Sequence, residues 1–356
     1  MGEAVLVFPA GMPDGLAYRD RARRAGLRVV GASSLDHDPA EGGYEAWEHL
    51  PYVNEPGFDA AFAEVVKKHA VTAVHAPHFI VWKHLTERLG QIAPGATLTG
   101  GARPQDNEAA YRELKARVEA LRAPAFWAAL PGKPPLSRLE RTGLVRLVHS
   151  IPGMCGEAKM LAVIEAMRHA PAGDVVEIGS WWGRSAALLV WLARHFEVGK
   201  VLCIDPWTNT DLVQGEAMVD AAGEEVDMDE AMRIFEINLA PLAGRDLNYI
   251  RARSESAAQA YAPGLKVRTE AFGETEYEGL ISFLHIDGNH SQPEAARDCA
   301  LWTPHVAPGG WICFDDYDWA FGDGPRVVAD RFVAANEARI STHFQAGPSL
   351  FVQLKR

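Results

Sequence analysis

No stretch of the chain approaches the roughly 20 consecutive apolar residues that a membrane-crossing helix needs, so no membrane partner is expected. The first residues, Met1 to Gly15, lack a basic leading region, carry Glu3, and place Pro9-Ala10-Gly11 directly after a short apolar run. A strand and a loop fit that pattern better than a secretory leader. Cysteine is scarce: Cys155, Cys203, Cys299 and Cys313 stand far apart and form no Cys-x-x-Cys. That argues against a disulfide framework and for a reduced, cytoplasmic setting. Cations are short where they would matter. Residues 1–150 hold 18 Lys/Arg against 17 Asp/Glu, but residues 151–356 hold 17 against 30. Binding of a phosphate backbone needs clustered cations, so nucleic acid is excluded as a partner. The loop after the first apolar run has no Gly-x-Gly-x-x-Gly and no P-loop lysine, and no internal repeat or long low-complexity tract is found.

What is present is the composition of a globular protein, 48% apolar and 23% charged over 356 residues. That length suits about two domains. In residues 1–102 short apolar runs (Ala4 to Phe8, Leu27 to Gly31, Val71 to His75) alternate with helical stretches (Leu16 to Ala25, Phe58 to His69, His78 to Leu89). This βαβ rhythm predicts a small parallel sheet. His75, His78 and His84 lie close in sequence but read as loop and helix-surface residues. Residues 103–150 read as a connector: a helix from about Asp106 to Arg122, then a tract with Pro124, Pro131, Pro134 and Pro135. Residues 151–356 resume the alternation, with helices over Glu157 to His169, Arg184 to Phe196 and about Pro325 to Ala338. Strands are expected at Asp174 to Ile178, Val201 to Ile204, Leu247 to Arg251, Leu280 to Ile286, Gly310 to Phe314 and Ser349 to Leu354. The fold class is α/β, a mostly parallel sheet of about seven strands preceded by a smaller α/β domain.

Two sets of residues carry chemistry. Glu177-Ile178-Gly179-Ser180-Trp181-Trp182-Gly183 ends one strand and opens a helix. Glycines there admit close backbone approach, and a helix N-terminus offers free N–H groups. Asp205 ends the next strand, where a carboxylate can bond ribose hydroxyls. The second set is Asp287-Gly288-Asn289-His290 after one apolar strand and Asp315-Asp316-Tyr317 after the next, behind Pro308-Gly309-Gly310. Adjacent strand ends lie about 4.8 Å apart. Three carboxylates converging there repel one another, and a hard divalent cation such as Mg2+ removes the conflict. His290 is within reach as a base. Between Asp211 and Glu236 nine acids accompany a single base, Arg233. This segment is expected over the ligand site, either as a solvated acidic helix pair or as a closing lid.

These motifs make residues of about 150–356 resemble a class I S-adenosylmethionine-dependent methyltransferase. The Asp-Gly-Asn-His, Pro-Gly-Gly and Asp-Asp-Tyr pattern is similar to the metal-dependent macrocin (TylF-like) O-methyltransferase group and to the cephalosporin hydroxylase group. The resemblance implies S-adenosylmethionine bound by Glu177, Gly179, Ser180, Gly183 and Asp205, with Ser254 facing adenine and Asp287 close by. Trp181, Trp182 and Trp207 are expected to wall the pocket. It implies a divalent metal, Mg2+, on Asp287, Asp315 and Asp316, and a catalytic pair of His290 and Asp287. The first domain is similar to Rossmann-like pre-ATP-grasp domains, and no ATP-grasp region follows it; an interaction or substrate-positioning role is expected.

The expected function is O-methylation of a hydroxyl on a sugar or another small natural product. A metal-dependent hydroxylase on the same scaffold and a cofactor-binding partner without catalysis are the alternatives. A small-molecule acceptor is the expected partner, with a homo-oligomer left open.

Overall fold

The computed structural model describes residues 4–101 and 103–356. The first three residues of the N-terminal reading and the boundary at residue 102 lie outside them. The chain divides into two compact units, Met1–Glu113 and Leu114–Arg356.

The first unit contains β1 (Ala4–Val7), α1 (Pro13–Arg24), β2 (Arg28–Ser33), β3 (Ala46–His49), α2 (Phe58–His69), β4 (Val71–His75), α3 (Phe79–Ile92) and β5 (Thr97–Thr99). The division falls within α4 (Pro104–Ala120). The five strands form a parallel sheet in the order β3-β2-β1-β4-β5. Only the three central strands are legible from apolar runs, because they are covered on both faces. The edge strands β3 and β5 are short and half-exposed. α3 runs on to Ile92, three residues past the expected end at Leu89. His75 is buried and stacks on Tyr18, not on the surface as expected, while His84 pairs with Asp59 and His78 caps α3.

The second unit adds α5 (Arg138–Ser150), α6 (Glu157–Arg168), β6 (Asp174–Ile178), α7 (Arg184–His195), β7 (Val201–Asp205), α8 (Ala217–Glu224), α9 (Met228–Ala243), β8 (Leu247–Arg251), α10 (Ser254–Ala260), β9 (Lys266–Thr269), β10 (Gly273–Glu276), β11 (Ile281–Ile286), α11 (Gln292–Trp302), β12 (Val306–Phe314), α12 (Gly324–Asn336), β13 (Ile340–Ala346) and β14 (Ser349–Leu354). Seven strands form one sheet in the order β13-β14-β12-β11-β6-β7-β8, while β9 and β10 make a separate hairpin. The sheet is parallel except around β14, which runs antiparallel to both β12 and β13. The proline-rich tract lies along this unit in extended form. The Ala129 N–H donates to Gln353 at 2.7 Å, the Lys133 N–H donates to the Arg168 carbonyl, and Phe126 stacks on Phe344.

Register places the site. Ile178 pairs with Ile286 and Ile204, and Ile286 pairs with Phe314. The ladder extends one step beyond the strands: the Gly179 N–H donates to Ile204, the Asp287 N–H to Ile178, and the Asp315 N–H to Ile286. Gly179, Asp205, Asp287 and Asp315 therefore mark the carboxyl ends of four adjacent strands, where open α/β sheets bind ligands.

Candidate active site

A cavity of about 1430 Å³ opens over these strand ends, with Gly179, Ser180, Asp205, Asp287, His290 and Asp316 among its lining residues. Single ligand pockets run to roughly 300–1,000 Å³, so there is room for a cofactor and a second molecule. The acidic segment forms one wall: Asp211, Val213 and Gln214 of its first part, Ala222 of α8 and Met228 of α9 all face the cavity. It is fastened to the loop after β11. Asn289 Nδ2 donates to the carbonyls of Asp211 (3.1 Å) and Val213 (2.7 Å), and the His290 N–H donates to Gln214.

The Gly179–Gly183 turn is built around Asp205. One carboxylate oxygen accepts the N–H groups of Ser180 (2.9 Å) and Trp181 (3.0 Å), and the other accepts that of Trp207 (2.8 Å). Trp181 and Trp207 both have left-handed backbone, φ +46° and +43°, a conformation that costs a non-glycine residue about 1–3 kcal/mol and persists only where surroundings enforce it. Asp205 supplies that enforcement from inside the protein. Burial raises its carboxyl above the usual range, and the three N–H groups pull it down. We therefore expect Asp205→Ala to lower stability by about 3 kcal/mol and to weaken cofactor binding through loss of the loop's shape. Urea midpoints measured alongside calorimetry with S-adenosylhomocysteine test this. An unchanged midpoint with weakened binding would return Asp205 to a purely ribose-binding role.

Three residues expected at the cofactor do not face the cavity. Glu177, one residue before the end of β6, points to the opposite face of the sheet from Ile178; fully buried, it meets His285 Nδ1 at 3.1 Å and Cys203 Sγ at 3.6 Å. Trp207 is packed between Phe235 and Tyr249, with its indole N–H donated to the Trp181 carbonyl. Gly183 caps α7 at φ +87°, and a Cβ there would strike Leu239 at 2.3 Å, so this glycine serves helix packing. Trp181 and Trp182 do line the cavity, as does Ser254, whose hydroxyl accepts the Trp302 indole N–H at 2.9 Å. Asp298, not anticipated from sequence, lines the same end; burial raises its carboxyl to about 6.

The acids at the ends of β11 and β12 divide into two groups. Asp316 has a left-handed backbone, φ +49°, which aspartate tolerates better than most residues. The turn there separates the two neighbouring carboxylates. Asp315 is buried, bonded to Ser349 and in direct contact with the Lys159 ammonium. Lys159 comes from α6, is 1% exposed, and also lies 3.5 Å from Asp287. His285 Nε2 approaches Asp315 at 3.7 Å and Asp287 at 3.8 Å. Burial acts to lower the Lys159 pKa, but Asp315 and Asp287 outweigh it and hold the ammonium charged. Burial likewise acts to raise Asp315, and Lys159 and His285 hold it well below the usual carboxylate range.

Lys159 and Asp315 line the cavity floor, and the outer group is the more exposed one. His290 Nε2 stands 3.0 Å from Asp316 and 3.9 Å from Asp287, with its ring tilted against Trp319. Neither ring nitrogen has an aligned hydrogen-bond partner. Burial acts to lower the His290 pKa, but Asp287 and Asp316 raise it to about 9. Burial, followed by repulsion from Asp315, pushes Asp287 up to about 6.

This division bears on the metal expected at Asp287, Asp315 and Asp316. Among the described residues, two sets of donor atoms lie within 4.8 Å of one another: His285, Asp287 and Asp315; and Asp287, His290 and Asp316. Neither unites the three carboxylates. The first set surrounds the buried Lys159–Asp315 contact. The second would engage the imidazole expected to act as base. The three-carboxylate cage does not fit this arrangement.

Residues 176–317 match a family described as a methyltransferase domain. No curated protein matches the chain. Among solved structures the chain is similar to the O-methyltransferase NovP (15% identity, 62% of this chain and 82% of that one, TM-score 0.42). It is similar to CalS11, a TDP-rhamnose 3'-O-methyltransferase of calicheamicin biosynthesis (12%, 76% and 86%, 0.32). It is also similar to the MycE methyltransferase of the mycinamycin pathway, solved with Mg, SAH and mycinamycin VI (15%, 62% and 57%, 0.37). Among the described residues no helix is long and apolar enough to cross a membrane.

Proposed function

We propose that the protein is a class I S-adenosylmethionine-dependent methyltransferase that moves the donor's methyl group to a hydroxyl of a sugar or another small natural product, with His290 as the base. The observation that carries the reading is the position of His290: it is held by two carboxylates, without an aligned hydrogen bond of its own, in a cavity that also exposes the Gly179–Ser180 turn. The donor lies along that turn and reaches toward Ser254. The acceptor hydroxyl lies between the donor methyl and Nε2. As the oxygen attacks, the methyl carbon–sulfur bond breaks, a carbon–oxygen bond forms, and the hydroxyl proton passes to His290. Asp287 and Asp316 stabilise the imidazolium that results. Holding both partners at near-attack distance supplies much of the acceleration. No step passes through a metal ion.

The test is incubation of the full-length protein with methyl-labelled S-adenosylmethionine and a panel of sugar nucleotides and glycosylated natural products. Mass spectrometry should show an acceptor heavier by one labelled methylene, in step with S-adenosylhomocysteine. Label found only on nitrogen or carbon acceptors would overturn the choice of hydroxyl.

A further inference from the structure

We infer that Lys159 is the resident cation of the acid cluster, occupying with its ammonium the place that a divalent metal would take between Asp287 and Asp315. The inference deepens the methyl-transfer reading and rests on its placement of the site, but its test does not depend on turnover.

Three independent features support it. The ammonium is buried, touches Asp315, and lies 3.5 Å from Asp287, so it bridges the ends of β11 and β12 as a shared metal would. Asp315 has no free side: Ser349 bonds its other oxygen, and the carboxylate is 5% exposed. The helix that delivers Lys159 cannot withdraw it easily. Met160, Leu161, Ala162, Val163 and Ile164 are all buried, so the helix just beyond Lys159 is packed into the protein and fixes the backbone that carries it. A lysine on an ordinary surface helix would snorkel to solvent; Lys159, although it lines the cavity, turns its ammonium onto Asp315 instead. A divalent ion entering between Asp287 and Asp315 would be placed against this fixed positive charge. Oxygen-ligated Mg2+ and Mn2+ sites need carboxylates whose charge is not already compensated. Lys159 thereby acts as a positioning residue. It holds Asp287 at the cavity edge, where Asp287 in turn faces His290.

The experiment uses full-length protein stripped with chelator and titrated with Mn2+, free ion being read by electron paramagnetic resonance. The wild type should take up no Mn2+ in the micromolar range. Lys159→Met, of similar length but uncharged, should gain a site tighter by about tenfold or more, because the freed carboxylates then need a cation. Lys159→Arg, which keeps the charge, should stay like the wild type. Stoichiometric micromolar uptake by the wild type overturns the inference, and that arm decides even if Lys159→Met fails to fold. A folded Lys159→Met that gains no site overturns it as well. Calorimetry with S-adenosylhomocysteine on the same wild-type sample separates the two levels: lost cofactor binding counts against the methyltransferase reading, and Mn2+ uptake with cofactor binding intact counts against Lys159 alone.

Discussion

Replacing His290 by alanine should lower turnover by about 10²–10⁴, the usual worth of a general base, while leaving S-adenosylhomocysteine affinity unchanged. The pH dependence makes this specific to a base. His290 accepts a proton only when neutral, and Asp287 and Asp316 hold its pKa at about 9 against the downward effect of burial. In the wild type, kcat/KM should therefore rise with pH and level off above about 9. Between about pH 6 and pH 9 the logarithmic slope should be one. Below about 6, where Asp287 also becomes protonated, it should steepen. The groups facing the ring are Asp287 and Asp316, with Trp319 against its face, so Asp316→Asn should move the upper break to lower pH. In His290→Ala the break near 9 should vanish. A wild-type profile flat from pH 6 to 9 would remove His290 from the reaction.

Gly179→Ala should be the most damaging single methyl group in the second unit. A Cβ at this position would lie 1.9 Å from the Asp287 carbonyl oxygen and 3.0 Å from the Gly288 Cα, at φ +82°. Both contacts are backbone, so no side chain can swing aside. The loops after β6 and β11 would have to part, and those loops carry Ser180 on one side and Asp287 and His290 on the other. Strain of this kind costs about 3 kcal/mol or more. The expected result is a lower urea midpoint together with lost S-adenosylhomocysteine binding. Near-wild-type stability and affinity would mean that the two strand ends are not in contact as described.

The strand ends were legible because they combine local signals: an apolar run, a glycine turn and a carboxylate in fixed order. That sufficed for β6, β7, β11 and β12 and for the residues at their ends. The direction in which each side chain points was less legible. Asp315 and Asp316 are adjacent in sequence, and only the left-handed turn at Asp316 reveals that they serve different groups. Glu177 belongs to the Glu-x-Gly motif, but the pleat turns it away from the cavity and onto His285. Lys159 was missed for a different reason. It lies 128 residues before Asp287 on a helix that carries no motif of its own. A signal was available. Met160 to Ile164 form an unbroken apolar run directly after Lys159, which points to burial of that turn of helix, and a buried lysine needs an anion inside the protein.

The proposed site is one cavity in which the methyl donor would lie beside His290. Its most direct test is calorimetric titration of S-adenosylhomocysteine into the full-length wild type and His290→Ala, both free of added metal. One saturable site of equal affinity in the two proteins is the predicted result, because the donor is held by the Gly179–Ser180 turn and not by the base. No saturable binding to the wild type would contradict the assignment of this cavity.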